Sequence, residues 1–311
     1  MIKFIAKRVA QALVVILLIT CLTFLLMNLV PGGPFLSEKS PSPQVLAAME
    51  AKYGLDKPVP VQLKNYIVHM VQGDFGVSLK MQKNRPVATI IMEMFPVSAK
   101  VGVIALVASV LIGVPIGCVA AYNRGNWVDS SLRVITTLGV SIPGFVVATV
   151  LLIFLGSMWK LLPTIGLASW QSYIMPSFSL AFYPMCYIGR LARSSMLDVI
   201  NQEYIRTARA KGVPAISIVF KHALRNAFIP VLTYLGPLTA YILTGGFVVE
   251  TVFNIPGLGR YFVQSIMNRD YPIIMGTTIF LAAFIVAMTL AVDILYKAVD
   301  PRIDLAKGGS K

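Results

Sequence analysis

Residues 198–226, DVINQEYIRTARAKGVPAISIVFKHALRN, form a polar segment that lies between two long and nearly uncharged apolar segments. The segment contains five Lys and Arg residues, and Arg190 and Arg193 precede it. Lys and Arg in the short loops of membrane proteins are retained on the cytoplasmic side. The sequence therefore predicts membrane spans on both sides of this segment and places the segment itself in the cytoplasm.

The polar segment also has the pattern of two short helices. In the first, cations are frequent near the end, where they complement the helix dipole; Gly212 can then take a left-handed cap and Pro214 prevents continuation. In the second, Lys221, His222 and Arg225 face away from an apolar stripe. The stripe consists of Ile216, Val219, Phe220, Ala223 and Ala227. The pattern predicts a folded finger that docks on a cytoplasmic partner; the alternative is an ordinary loop whose cations only set the topology.

The composition is that of a membrane protein. Hydrophobic residues make up 57% of the 311 residues and charged residues 13%, with a mean hydropathy of +0.76, whereas soluble domains average about 25% charged residues. The net charge of +14 comes from 27 Lys and Arg against 13 Asp and Glu. Because these cations lie at span ends and in loops, they indicate topology and contact with anionic membrane lipid, and not nucleic-acid binding.

Six apolar segments are long enough to cross a bilayer, which needs about 20 residues of helix. Because backbone groups in lipid must be hydrogen-bonded internally, each is predicted to be helical. The fold class is therefore an all-α integral membrane protein with six transmembrane helices and a cytoplasmic finger. The segments are approximately 9–30, 97–121, 134–158, 173–192, 228–249 and 273–296.

The distribution of loop cations predicts that both termini are cytoplasmic. The N-terminus, the 123–133 turn, the 190–226 loop and the C-terminus carry most of the cations outside the long loop after the first span, and an even number of spans agrees with that orientation. The first span lacks a cleavage site and is predicted to stay attached. The predicted organisation is an N-terminal transmembrane helix, an extracytoplasmic loop, a five-span core with the coupling loop 193–227, and a cytoplasmic tail. Their boundaries are 1–30, 31–96, 97–300 and 301–311.

The extracytoplasmic loop is predicted to contain two short helices. Ser42-Pro43 supplies an N-cap and a first-turn proline, and Gly54 can end that helix. A second helix is expected over about 60–72, where Gly73 stops it.

Spans two to five are interrupted by proline and glycine, which kink helices and permit close helix contact. Examples are Pro115, Pro143, Pro184 and Pro237. Two interpretations stay open: the kinks shape a transport pathway, or they only aid packing.

Several chemical motifs are missing from the sequence. There is no G-x-x-x-x-G-K-[ST] loop for phosphates and no G-x-S-x-G serine elbow. His69 and His222 are far apart, and Cys21, Cys118 and Cys186 each lie alone in an apolar segment. We therefore expect no catalytic residues, no metal site and no cofactor bound by this chain. The middles of the spans carry no Asp, Glu, Lys, Arg or His. This argues against an ion-coupled secondary transporter, the alternative from another functional class.

The runs EYIRTARAKG at 203–212 and HALRNAFIP at 222–230 resemble the cytoplasmic coupling motif of permease subunits from the oligopeptide, dipeptide and nickel class of binding-protein-dependent ABC importers. The similarity covers roughly residues 1–305. It includes YGLDKP, GDFGVS, LARSSMLDVI, ETVFNIPGLG, NRDYP and VDILYKAVDPRI. The PGGPF and FPVSAKVG segments and the short loop 159–172 are most similar to the oligopeptide permease B subunit; dipeptide and nickel permeases, with glutathione as a further cargo, are the alternatives.

The resemblance implies a multi-pass subunit of the bacterial inner membrane that imports oligopeptides by alternating access. It implies as partners a second homologous permease subunit, two cytoplasmic ATPase subunits that use ATP and Mg²⁺, and an extracytoplasmic peptide-binding protein. It also implies that residues 203–226 insert into a cleft on an ATPase subunit. The candidate coupling residues are Glu203, Tyr204, Arg206, Thr207, Ala208, Arg209, Ala210, Lys211, Gly212, His222, Arg225 and Asn226.

The sequence departs from the wider importer pattern EAA-x3-G. That pattern would place Glu-Ala-Ala on Arg206, Thr207 and Ala208, with Gly212 as its glycine, so the first two positions differ. Arg225 also stands where the wider pattern has a proline. We therefore expect Gly212 and the basic helix before it to matter more for coupling than any single matched side chain.

Overall fold

A computed structural model describes residues 2–30, 44, 54–218 and 223–299. These residues are mostly helical and include no β-strand. The helices are, in chain order, α1 (Ile2–Leu29), α2 (Val59–Val71), α3 (Val87–Tyr122), α4 (Trp127–Ser141), α5 (Gly144–Leu151), α6 (Ile174–Ile200), α7 (Glu203–Ala210), α8 (Ala215–Ser217), α9 (Leu224–Ala227), α10 (Ile229–Leu243), α11 (Phe247–Val252), α12 (Leu258–Asn268) and α13 (Tyr271–Val299).

Four helical segments of the described chain are long and apolar enough to cross a membrane. A fifth candidate is the pair formed by α4 and the helix that starts at Gly144, which is bent by 100°. The all-α membrane architecture is therefore confirmed, but the count of six spans is not. The four segments are Arg8–Leu29, Val87–Tyr122, Leu224–Val252 and Tyr271–Ala291.

The fourth predicted span corresponds to α6, which is a 27-residue helix but does not meet the same test of length and hydropathy. This helix packs against α4, α5 and α10. Its buried residues include Ser177, Ser179 and Ser195. The last part of the helix also carries Arg190, Arg193 and Asp198. These charged residues and the buried serines lower its hydropathy.

The third predicted span is not one helix. It is broken at Ile142 and Pro143, where both residues have extended backbone conformations, and a π-helical stretch, Leu152–Met158, continues α5. The break follows from Pro143, which has no N–H and disfavours a helical conformation at the residue before it.

The chain divides into two compact units by its contacts. The first contains Met1–Val97 and Gly257–Ala287, and the second contains Ser98–Pro256 and Met288–Lys311. In the first unit, Phe24 and Met27 of α1 form a core with three residues of α13, and α2 covers it. These further residues are Ile274, Met275 and Ile279 of α13, with Leu63, Tyr66 and Met70 of α2.

The predicted second helix of the long loop is confirmed as α2, and Gly73 follows it with φ +80°. The predicted helix that starts at Ser42-Pro43 lies outside the described residues. After α2, residues 78–81 turn around the buried carboxylate of Asp270. Its oxygens accept hydrogen bonds from Ser78 Oγ at 2.6 Å and from the N–H groups of Leu79, Lys80 and Met81 at 2.9–3.1 Å.

The core of the second unit is built around α6. Ala181, Ile188 and Ala192 of α6 pack with apolar residues of α3 and α10. Gly117 of α3 permits a close approach to α6, because a Cβ atom there would lie 2.5 Å from the Gly189 carbonyl oxygen and 2.6 Å from the Ala192 Cβ. Helices α3 and α6 are thus in direct backbone contact next to the polar segment.

Candidate functional site

The first arm of the finger is α7, an amphipathic helix of eight residues. Ile205 and Ala208 are buried on one side, while Glu203, Arg206 and Arg209 are exposed. The Arg206 guanidinium contacts the Glu203 carboxylate at 2.9 Å. Because both side chains are well exposed, this ion pair adds little stability. The arm therefore presents a polar, cation-rich surface on one side. Its opposite side, with Ile205 and Ala208, packs against the rest of the protein.

The end of α7 is a Schellman motif centred on Gly212. The Gly212 N–H donates to the Arg209 carbonyl at 2.9 Å, and the Val213 N–H donates to the Ala208 carbonyl at 3.2 Å. Gly212 has φ +74°, a conformation that glycine adopts at little cost. Val213 also packs on the cluster that contains Ala208, as the hydrophobic contact of this motif requires. The predicted left-handed cap is confirmed.

The second arm follows Pro214, and its described residues include α8 and α9. The two arms are joined at their surface by a hydrogen bond in which the Asn226 amide donates to the Tyr204 hydroxyl at 2.8 Å. The first predicted helix of the finger is confirmed as α7, whereas the middle of the second lies outside the described residues.

The buried side of the finger packs on the ends of two long helices. Five finger residues form one apolar cluster with Cys118 and Ala121 of α3 and Met196 of α6. The finger residues are Ile205, Ala208, Ile218, Ala223 and Ala227. The finger is therefore in close-packed contact with the ends of α3 and α6, and such an interior deforms little.

A buried ion pair connects the same end of α6 to the start of α4. Arg193 Nε and Nη2 donate to the two Asp129 oxygens at 2.7 and 2.8 Å, and the Gly125 N–H donates to Asp129 Oδ2 at 3.1 Å. Arg133 Nε lies 3.7 Å from Asp129 Oδ1. Asp129 itself is 1% exposed. A bidentate guanidinium–carboxylate pair fixes both distance and orientation, so α4, α6 and the turn between α3 and α4 are held together beside the finger.

Sequence reasoning missed Asp129. A usable signal is present, because Asp129 is the only acidic residue between Glu93 and Asp198 and lies in the segment 123–133 with Arg124 and Arg133. Its partner, Arg193, precedes the polar segment and by itself indicates only topology. The pairing joins residues far apart in sequence, and no local pattern predicts it.

The amino-acid sequence matches a known class of membrane transport proteins. Residues 113–305 match the profile of the binding-protein-dependent transport system inner membrane component, and residues 1–102 match that of its N-terminal region. The chain belongs to this inner-membrane component family. The prediction of an importer permease subunit is therefore confirmed.

Relatives of this inner-membrane component cover its whole length. The dipeptide transport system permease protein DppB of Bacillus subtilis is 44% identical over 99% of this chain and 100% of its own. The oligopeptide transport system permease protein OppB of Haemophilus influenzae is 40% identical over 97% of this chain and 99% of its own. Similarity to dipeptide and oligopeptide permeases is thus of the same order.

A solved structure shares the fold. The inward-facing MetNI methionine ABC transporter contains a chain that aligns with a TM-score of 0.56 at 19% identity, over 68% of this chain and 96% of that one. The match supports the fold of the inner-membrane component.

The structure places most of the predicted coupling residues of this inner-membrane component on the exposed surface of the finger. Ala208 is an exception, because it is 9% exposed and belongs to the packed base. His222 lies outside the described residues. The exposed set is Glu203, Tyr204, Arg206, Thr207, Arg209, Ala210, Lys211, Gly212, Arg225 and Asn226.

The predicted apolar stripe of the second arm is partly wrong. Ala223 and Ala227 are buried as predicted, but Ile216 is 63% exposed and Ile218 is buried in its place. Two residues along a helix are about 200° apart, so Ile216 and Ile218 point to opposite sides of the arm. Val219 and Phe220 lie outside the described residues. Within the described chain, no cluster of three His, Cys, Asp or Glu side chains is arranged to hold a metal ion.

Proposed function

We propose that this chain is a permease subunit of an ATP-driven importer that carries peptides across the bacterial inner membrane. The observation that carries the proposal is the finger, which has one exposed cationic side and one side packed on α3 and α6. The end-to-end similarity to peptide permeases supports peptides as the cargo. Dipeptides and oligopeptides both fit this description.

The proposed partners follow from the family and from the shape of the finger. Two cytoplasmic ATPase subunits use ATP and Mg²⁺, and one of them receives the finger; this chain itself binds no cofactor. A second homologous permease subunit completes the pathway, and an extracytoplasmic binding protein delivers the peptide. The finger and both termini are cytoplasmic in this proposal, which the distribution of loop cations supports.

The proposed coupling mechanism begins at the exposed surface of α7. ATP-driven closure of the ATPase subunits displaces the finger, and the buried cluster with Cys118, Ala121 and Met196 carries that displacement to α3 and α6. The Asp129–Arg193 pair extends the moving group to α4. The broken segment at Ile142 and Pro143 follows α4 directly, so a displacement of α4 changes the opening of the pathway.

The test is purification of the tagged chain from membranes in mild detergent, with mass spectrometry of the associated proteins. We expect a pair of P-loop ATPases and a second permease to be recovered. The double variant Arg209→Glu/Lys211→Glu should lose the ATPases and ATP-dependent peptide uptake. Lys64→Glu, which reverses an exposed cation of α2, is the matched control and should lose neither.

Two results would contradict the proposal. Recovery of the chain alone, or as a homodimer, would remove the ATP-driven importer. Uptake of peptide by the purified chain in vesicles on an ion gradient, without ATPase subunits, would identify a secondary transporter instead.

A further inference from the structure

The second unit contains a cavity of about 760 Å³ that is lined by two interruptions of its membrane helices. One interruption is the break between α4 and α5 at Ile142 and Pro143, and the other is the break between α10 and α11 at Gly245 and Gly246. Non-helical backbone at membrane depth is tolerated where it is buried in protein or lines a water-filled cavity. In secondary transporters, a different mechanistic class, such broken helices are found at substrate sites, and the same backbone chemistry is available here.

Both breaks provide backbone groups for hydrogen bonding. Part of this backbone is already paired, since the Tyr241 carbonyl accepts from Thr244 Oγ1 at 2.7 Å and the Ile242 carbonyl from the Gly245 N–H at 3.3 Å. The first two N–H groups of α5, those of Gly144 and Phe145, have no acceptor within their own helix. Pro184, inside α6, cannot donate to the Leu180 carbonyl, and both residues line the cavity. The cavity wall therefore offers main-chain donors and acceptors that do not depend on any charged side chain.

Hydroxyl side chains supply further polar lining. Those of Ser141, Ser179 and Thr244 already donate to carbonyl groups of their own helices. Tyr183, Tyr234 and Tyr241 line the cavity, and Tyr241 is 72% exposed. The ring of Tyr187 stacks on that of Tyr183 at 6.3 Å and contacts that of Tyr234 at 4.4 Å between centroids. Tyr183 and Tyr234 thus form an aromatic part of the wall, and Tyr187 contacts both rings from outside the lining. Among the described residues, none with a charged side chain lines the cavity.

We infer that this cavity is a binding site for the peptide during its passage, and that it recognises the peptide main chain through the tyrosine hydroxyls and the open backbone groups. This inference rests on the proposed function. Its volume lies within the range of about 300–1,000 Å³ for small-molecule sites. Because no charged group lines the wall, the site accepts peptides of different side-chain charge, and the aromatic rings cover apolar side chains.

The first experiment measures uptake into vesicles that contain the complete importer, its binding protein and ATP. The probes are radiolabelled alanine peptides of two, three and five residues. The variant Tyr183→Phe/Tyr234→Phe/Tyr241→Phe removes three hydroxyls and retains the rings. We expect it to assemble and hydrolyse ATP like the wild type while the KM for uptake rises about tenfold, the equivalent of one or two lost hydrogen bonds. Tyr122→Phe, a change at an exposed tyrosine outside the cavity, should leave the KM unchanged.

The second experiment places a photo-crosslinking amino acid at position 241 or, as the control, at position 122. We expect irradiation during transport to attach the labelled peptide at position 241 and not at 122, and excess unlabelled peptide to prevent it. An unchanged KM in the triple variant, or crosslinks from position 241 to another polypeptide alone, would overturn the inference while leaving the importer proposal intact. Absence of ATP-dependent uptake by the wild-type importer would overturn both.

Discussion

Asp129 and Asp270 are both buried carboxylates, with 1% and 0% of their surface exposed, but they are stabilised by different partners. Asp270 accepts hydrogen bonds from three backbone N–H groups and from the Ser78 hydroxyl. Asp129 binds the Arg193 guanidinium in two places and accepts one backbone N–H, from Gly125. The first carboxylate fixes the conformation of one loop, whereas the second joins side chains of separate helices.

The different partners of the two carboxylates predict different behaviour when helices move during transport. The turn at residues 78–81 is held to Asp270 by four hydrogen bonds, so moving it would leave a buried carboxylate without several donors at once. An ion pair between two helices holds only while both side chains keep their positions, so it stabilises a particular arrangement of α4 and α6. We therefore expect the Asp270 contacts to persist through a transport cycle and the Asp129–Arg193 pair to depend on the state of the finger.

The largest expected effect comes from Arg193→Leu. This change leaves the Asp129 carboxylate buried without its bidentate partner, and breaking such a pair costs about 3 kcal/mol. The measurement is the apparent free energy of unfolding of the detergent-purified protein, from its thermal denaturation. Adding Asp129→Asn to the same variant should restore part of the loss, because no charge is then left buried. An equal loss in the single and double variants would contradict a specific role for the pair.

Gly117→Ala should have the next largest effect. The added methyl would lie 2.8 Å from the Arg193 backbone nitrogen and 2.6 Å from the Ala192 Cβ, so α6 must move away from α3. Overpacking of this kind costs about 2 kcal/mol. At Gly144 an added methyl would meet a single atom at 3.3 Å, and Gly144→Ala is the matched control with a smaller expected loss. Equal stability of both variants would show that the α3–α6 contact is not tight.

Asp270→Asn should lower the free energy of unfolding by less, about 1–2 kcal/mol. The amide keeps one acceptor oxygen, but its NH₂ group faces a backbone N–H, and two donors cannot form a hydrogen bond. The expected result is faster hydrogen exchange of residues 79–82, with little change elsewhere. Asp74→Asn is the control in the same loop, since that exposed carboxylate accepts one backbone N–H, from Gly76. If both variants exchange alike, the buried position of Asp270 has no special importance.

Local chemistry predicted the parts of the fold that depend on neighbours in sequence. The cap at Gly212 and the end of α2 before Gly73 follow from residues within a few positions, and both are confirmed. The third predicted span shows the limit. Pro143 indicated a kink, but the 100° bend depends on how α4 and α5 pack against α6.

The two carboxylates show the same limit in the candidate site. Asp270 meets residues more than 180 positions away, and Asp129 meets Arg193 at a separation of 64. Neither pairing leaves a local pattern, since each polar side chain looks like a loop residue by itself. The predicted burial of Ile216 is wrong as well, because Ile218 is buried in its place. Apolar residues occupy both sides of the turn at Ala215–Ser217, so spacing alone does not decide which side is buried.

The smallest change in the free energy of unfolding is expected for Arg133→Gln. This variant distinguishes the contribution of Arg133 to the stability of Asp129 from that of Arg193. The Arg133 side chain is 55% exposed and its Nε lies 3.7 Å from the carboxylate, compared with 21% and 2.7 Å for Arg193. An exposed pair of this kind contributes less than about 0.5 kcal/mol. The loss should shrink further as salt is raised, because exposed charges are screened, whereas the loss in Arg193→Leu should change little. A salt-independent loss of about 3 kcal/mol in the free energy of unfolding of Arg133→Gln would mean that both arginines stabilise the Asp129 carboxylate. Asp129, Arg133 and Arg193 would then form a three-residue network and not a pair.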